Sequence, residues 1–432
     1  MVRHGKRGSA LLSVTVASAL ALSLTACAGS DSGSGDGRSL TYWSMWKENE
    51  PQARVLREAA QAFEREHGVR VVIQWQGRDV LKKVAPALRG GDLPDLVDQD
   101  QALVRSTLVA ADAHRDLTGL YAADVAGRKV SDVVSARYSD LVRRDGKPYL
   151  VPYEVIGYGL WFDGAALPEV AASPPGTWSE FTALLSARKA AGAAPLALDG
   201  DIGQYNALWT VGALQGALGK DKVNELARDR SGEAWRRPEV RAVLDDVAGL
   251  ARSGFFAAGH NGGKWPAAQE KWAQGQADFL LMGSWAPSET GAKARAGFQY
   301  RFAALPSAGR QRYVPVESIG FAIPRRAKNA EAAERFVAYF LRDEHLGRIS
   351  SVARNLTPNP ALPVPDELAG LAEATRSLPL ARVQDGVAED FPGYVEEVLW
   401  PANDQLLRGQ TDVDGFLGQI GEKQVNYWKK NR

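Results

Sequence analysis

The feature that most constrains this chain is the alternation of strand-like and helix-like stretches between residues 39 and 97. Ser39-Leu-Thr-Tyr-Trp43 reads as a buried strand. Pro51 opens a helical pattern with Val55, Leu56, Ala59 and Phe63 on one face, and Gly68 ends it. Val69 to Trp75 is strand-like and rich in β-branched residues. Val80, Leu81, Val84 and Leu88 mark a second helix, broken at Gly90-Gly91, and Leu93 to Val97 follows as a short apolar strand. This succession predicts an α/β fold, a parallel sheet covered by helices. In such sheets ligands sit beyond the carboxyl ends of the strands, so the loops starting at Trp43, Trp75 and Asp98 are the first candidates for a site.

Further along, Asp145-Gly146 marks a turn, and Tyr149 to Phe162 is a long β-rich run. Thr177-Trp-Ser-Glu180 is a capping box opening a helix. Val240 to Leu250 and Ala332 to Leu341 carry helical periods, as does the tail from Thr411 to Trp428. Phe279 to Met282, Phe302 to Leu305 and Ile319 to Ile323 are further strands.

The first forty residues are of another kind. Arg3, Lys6 and Arg7 precede an uncharged stretch from Ala10 to Ala26, the layout of an export signal. This stretch is shorter than the ~20 apolar residues of a membrane span and is softened by serines and threonines. Leu24-Thr-Ala-Cys27 resembles the bacterial lipobox, in which a lipid is attached to the cysteine thiol and the peptide is cut before it. The only cysteine of the chain stands there, and a glycine–serine tether follows it. The reading is a signal peptide over 1–26, lipidation at Cys27, a flexible tether over 27–38, and a body anchored to the outer face of the bacterial cell membrane.

Composition narrows the function of that body. Fifty-two basic and 51 acidic residues leave a formal charge of +1, which argues against a nucleic-acid partner. Five scattered histidines and a single cysteine argue against a metal centre or a disulfide framework.

Several segments, in this order, resemble the solute-binding proteins of carbohydrate ABC importers, the family that includes maltose-binding protein. They are Leu40-Thr-Tyr-Trp43, Gly91-Asp-Leu-Pro-Asp95, Asp145-Gly-Lys-Pro-Tyr-Leu-Val-Pro152-Tyr-Glu, Pro174-Pro-Gly-Thr-Trp178-Ser-Glu180, Trp272-Ala-Gln-Gly275 through Gly283-Ser-Trp285, Ile319-Gly-Phe-Ala-Ile323-Pro and Lys328 to Phe336. One departure is Glu317-Ser318, where the family often has two small residues. The resemblance implies a two-lobed periplasmic-binding-protein-like fold with a hinge between the lobes. Lobe one would be 39–148 and 304–343, and lobe two 149–303 and 344–432. It further implies a monomer, without cofactor or catalytic residues, that carries an oligosaccharide to an ABC permease.

Sugar rings pack C–H faces on aromatic rings and bond their hydroxyls to acids, amides and arginine. On that basis Trp43 and Trp46, at the end of the first strand, are candidates. Asp98 and Asp100 follow the third strand. Tyr153 and Glu154 lie in the crossover strand. Tyr205, Asn206 and Trp209 form a polar and aromatic cluster ahead of an apolar helix. The resemblance places a ring-stacking aromatic at Trp285, at a glycine-marked strand end. Glu317 and Asn355 are polar residues expected near the cleft. Trp178 reads as structural, and Arg78 either reaches a hydroxyl or neutralises Asp79. The competing functions are a secreted glycoside hydrolase, for which no motif sets a carboxylate pair, and a sugar-sensing subunit on the same scaffold.

Overall fold

The strands expected in the first hundred residues form at Ser39–Ser44, Arg70–Trp75 and Leu96–Asp100, parallel to one another. The computed structural model describes residues 37–90, 92–309 and 311–431. The stretch read as a signal peptide, Cys27 and nearly all of the stretch read as a tether lie outside the described residues.

The first helix runs Pro51–His67 and buries Val55, Leu56, Ala59 and Phe63, the face its period predicts. Gly68 ends it at φ 66°, a left-handed cap that glycine adopts at little cost, and its N–H bonds the carbonyl of Glu64. Phe63 meets Phe336 and Tyr339 of helix Ala330–Phe340 edge-on. Burying such a ring contributes roughly 1.5–3 kcal/mol. The third strand starts later than expected, at Leu96, because Pro94 has no N–H for the ladder. This displacement draws Asp98 and Asp100 into the strand itself instead of the loop beyond it.

The sheet continues in the order Arg70–Trp75, Ser39–Ser44, Leu96–Asp100, Val314–Ala322, Val151–Asp163, Phe279–Gly283, Leu196–Ala197. Val314–Ala322 is antiparallel to both of its long neighbours. Val151–Asp163 is buried along its whole length. Its first half pairs with Val314–Ala322, its second with Phe279–Gly283 and Tyr300–Ala303. These two strands therefore join the two halves of the molecule. Around the second half pack helices Gly203–Leu218, Pro238–Arg252, Trp400–Leu407 and Val413–Lys430. Helix Trp178–Ala190 opens on the expected capping box, with Thr177 and Glu180 exchanging bonds at 3.0 and 3.2 Å. Helix Asp343–Ser351, nearly all of which the resemblance puts in lobe two, packs instead on Pro51–His67, where Arg348 pairs with Glu58. Among the described residues no helix is long and apolar enough to cross a membrane.

Candidate functional site

Strand periodicity sets the floor of the site. Side chains two residues apart share a face, so Glu154, Ile156 and Tyr158 point one way and Tyr153, Val155 and Gly157 the other. On the neighbouring strand Glu317 lies opposite Ile156, and Ile319 opposite Glu154. These five side chains line a cavity of about 780 Å³, within the range of small-molecule sites. Its walls come from loops and first helical turns on both halves. Met45, Trp46 and Arg78 stand on the first, Gln204, Tyr205, Trp265, Trp285 and Glu289 on the second, with Arg354 and Asn355 beside them. A side chamber of about 210 Å³ shares Asp100, Leu103, Gln204 and Glu317 with it and reaches Gln384 and Trp400.

Seven of the twelve expected site residues meet here: Trp46, Asp100, Glu154, Tyr205, Trp285, Glu317 and Asn355. Trp285 follows strand Phe279–Gly283. Its ring lies so close over Gly283 that a Cβ there would fall 2.2 Å from Trp285 Cζ3. The glycine at the strand end thus makes room for the indole. Tyr205 tilts against that indole at 5.9 Å, and Tyr158 meets it edge-on at 5.4 Å. Trp46 borders the cavity differently. It is only 4% exposed, its ring carries the Arg78 guanidinium at 4.5 Å, and its Nε1 donates to Tyr153 Oη at 2.6 Å. It is a wall, not an open platform.

Five expected residues lie elsewhere. Trp43 stands on the opposite face of its strand from Tyr42 and is half-buried against the core. Tyr153 and Asp98 form a buried relay behind Trp46. The Tyr153 hydroxyl donates to Asp98 Oδ2 at 2.6 Å, while Asp98 Oδ1 accepts from the Met45 N–H at 2.8 Å. Burial raises the Asp98 pKa against these bonds. Asn206 donates to Gly200 O and to Asp404 Oδ1, tying two helices together. Trp209 is fully buried and stacked on Phe181 at 6.3 Å. The helix begins at Gly203, so the cluster lies on the helix: Tyr205 reaches the cavity and Trp209, one turn on, the core.

The electrostatics are dominated by acids. Burial pushes Glu154 up to about 8. Its Oε1 accepts from Asn355 Nδ2 at 2.8 Å, and its Oε2 has no partner among the described residues. Burial also raises Glu317, Asp100 and Glu289; the Asp100 charge raises Glu317 further, and the Glu389 charge raises Asp100. Tyr158 donates to Glu317 Oε2 at 2.7 Å. Arg78 is not turned to Asp79; its fork grips Glu50 at 2.7 and 3.0 Å. Arg354 makes a bidentate pair with Glu367. Among the described residues no group of three or more metal-ligating side chains is present.

Residues 47–345 match the family described as bacterial extracellular solute-binding protein, well over half of the chain. The chain belongs to the bacterial extracellular solute-binding proteins. An uncharacterized ABC transporter extracellular-binding protein of Pyrococcus horikoshii is 28% identical to this solute-binding protein over 151 residues, 34% of each chain, so the match spans about a third of that relative's length. Apo-form RafE from Streptococcus pneumoniae has a similar structure, with a TM-score of 0.76 at 18% identity over 90% of this chain and 97% of its own. AcbH, a bacterial solute receptor with an exclusive substrate preference for b-D-galactopyranose, gives 0.73 at 18% identity over 91% and 98%. At such identities the likeness is one of fold.

The sequence reading of this solute-binding protein missed Tyr158, Glu50, Gln52, Glu289 and Trp265. Tyr158 was legible from the two-residue period that starts at Glu154. Trp265, 41% exposed in the loop Gly262-Gly-Lys-Trp265-Pro266, was signalled by an aromatic among glycines and proline.

Proposed function

We propose that the chain binds a carbohydrate in this cavity and delivers it, chemically unchanged, to an ABC-type permease. The observation that carries the reading is the pairing of open aromatic faces, Trp285, Tyr205 and Trp265, with a floor of carboxylates and an amide between the two halves of the fold. The aromatic faces suit C–H patches of pyranose rings and the floor suits their hydroxyls. Several faces, and the adjoining side chamber, favour an oligosaccharide. The galactopyranose preference of AcbH agrees with a sugar ligand.

In this reading lobe one is 39–148 and 304–343 with helix Asp343–Ser351 added, and lobe two the remainder of 149–432. The lobes close on the ligand about the crossing strands. The body is exported and held at the membrane by a lipid on Cys27. Cys27→Ser should then block lipidation and lose the membrane-anchored mature form; equal membrane retention with an unchanged mature mass removes the anchor.

Thermal-shift screening against sugars, amino acids and peptides tests the central claim. A ligand at about 100 times its dissociation constant adds roughly 2.7 kcal/mol of stability, and small-angle scattering should show compaction. A shift by an amino acid or peptide and by no sugar overturns it. A second reading, hydrolysis, is favoured by one observation, the raised pKa of Glu154 beside Glu317 and Asp100, since a general acid must hold its proton near neutrality. Oligosaccharides recovered intact after incubation support the receptor; cleavage products support the hydrolase.

A further inference from the structure

The charge inventory of the cleft does not balance. Six carboxylates line it against two guanidinium groups. Both guanidinium groups are taken, Arg78 by Glu50 and Arg354 by Glu367. Asp100, Glu154, Glu289 and Glu317 have no cationic partner among the described residues, although the chain as a whole is within one charge of neutral. The surplus therefore belongs to the cleft and not to the protein at large.

A second observation points the same way. Glu154 Oε2 and Asn355 Oδ1 are acceptors on side chains only 1% and 3% exposed, both line the cavity, and neither has a donor. A buried acceptor left unpaired costs about 1–3 kcal/mol. A neutral sugar hydroxyl brings one donor and two acceptors, whereas an ammonium brings three donors, no acceptor and a full charge. The floor has no cation, its donors Tyr158 Oη and Asn355 Nδ2 are spent on Glu317 and Glu154, and the donors that arginine could offer are already committed.

We propose that the sugar received by this cleft carries a protonated amine, seated on the carboxylate floor of Glu154, Glu317 and Asp100. Glu154 and Glu317 share one face of adjacent strands, two register positions apart, and Asp100 stands opposite Ile319 from the other side. The amine-bearing ring thus sits at the crossing of the two halves, and Trp285 with Tyr205 covers its C–H face. Burial raises the pKa of all three acids, so near neutrality Glu154 and Glu317 keep protons in the empty cleft, and an ammonium seated among them displaces those protons.

This inference rests on the carbohydrate reading, and calorimetric titration with matched ligands separates the two. The probes are glucosamine, galactosamine and their short β-linked oligomers, each beside its N-acetylated and its hydroxyl counterpart, with spermidine as an amine that is not a sugar. The amino member of at least one set should bind about ten-fold tighter than its neutral counterparts, with affinity falling as salt is raised from about 0.05 to 0.5 M. Glu317→Gln, nearly isosteric, should bring that preference to within about two-fold, and Asp100→Asn should do the same independently, each checked for an intact melting transition. Neutral members binding as tightly as the amino ones, or a preference that survives both variants, overturns the amine and leaves the carbohydrate reading standing. Spermidine binding without any sugar overturns the carbohydrate reading, and with it the amino sugar. Should either variant fail to fold, the salt dependence of the unaltered protein still decides between a charged and a neutral ligand.

Discussion

At the scale of single residues, burial separates tryptophans that face a ligand from those that hold the core. Trp285 is half-buried at the end of a strand, with its ring beside the cavity. Trp209 is fully buried on Phe181. Trp285→Ala should weaken sugar binding by about 2 kcal/mol, roughly thirty-fold, with the unliganded melting temperature little changed. Trp209→Ala should destabilise by about 3–5 kcal/mol. Titration beside thermal unfolding checks both, and a large melting loss in Trp285→Ala with normal binding by the folded fraction would return that residue to the core. Glu154 makes a second prediction, in pH. Unfolded, it gives up its proton near the ordinary 4.5, but folded it keeps the proton to about 8. Between those values the native chain binds more protons, so stability falls as pH rises and the loss is complete above about 8. Glu154→Gln should flatten that fall and melt higher than the parent at about pH 8–9. Parallel melting profiles across pH would mean that Glu154 does not hold its proton.

At the scale of elements, the crossing strands carry the design. Gly320 sits where the register between them slips. A Cβ there would lie 2.4 Å from the Val151 carbonyl oxygen and 2.4 Å from Leu150 Cδ2. Gly320→Ala should cost about 1–3 kcal/mol in urea unfolding. Gly418→Ala, in helix Val413–Lys430 with open space at its Cβ, should be stabilising by up to about 1 kcal/mol. Similar unfolding midpoints for the two would show that the slip tolerates a side chain. Most elements were legible because local patterns and tertiary demand agree, as in Pro51–His67 between its proline and its left-handed glycine. The site was legible at Trp285, which the resemblance placed at a strand end; along the crossing strand it needed strand phase, without which Tyr158 was missed. Tyr153 and Glu154 are neighbours in sequence and cannot both face the cleft. Which of them does depends on the partner strand, whose register is a long-range fact.

At the scale of the whole molecule, the family resemblance pointed to sugar binding, yet it could not sort twelve tryptophans into core and cleft. That sorting depends on which faces the packed helices cover. Nor could a formal charge of +1 reveal that one cleft holds an acid surplus, because net charge averages over a surface that ion pairs elsewhere neutralise. Trp265 is the exposed exception among the large aromatic residues described, at the cavity wall with 41% of its surface open. Buried indoles emit at shorter wavelengths than water-facing ones, so the red edge of this protein's fluorescence belongs chiefly to Trp265. A saccharide settling over that ring should shift the emission blue and shield it from acrylamide. Trp265→Phe should abolish both changes while calorimetric binding persists, which would give the protein a built-in optical reporter of its own loading.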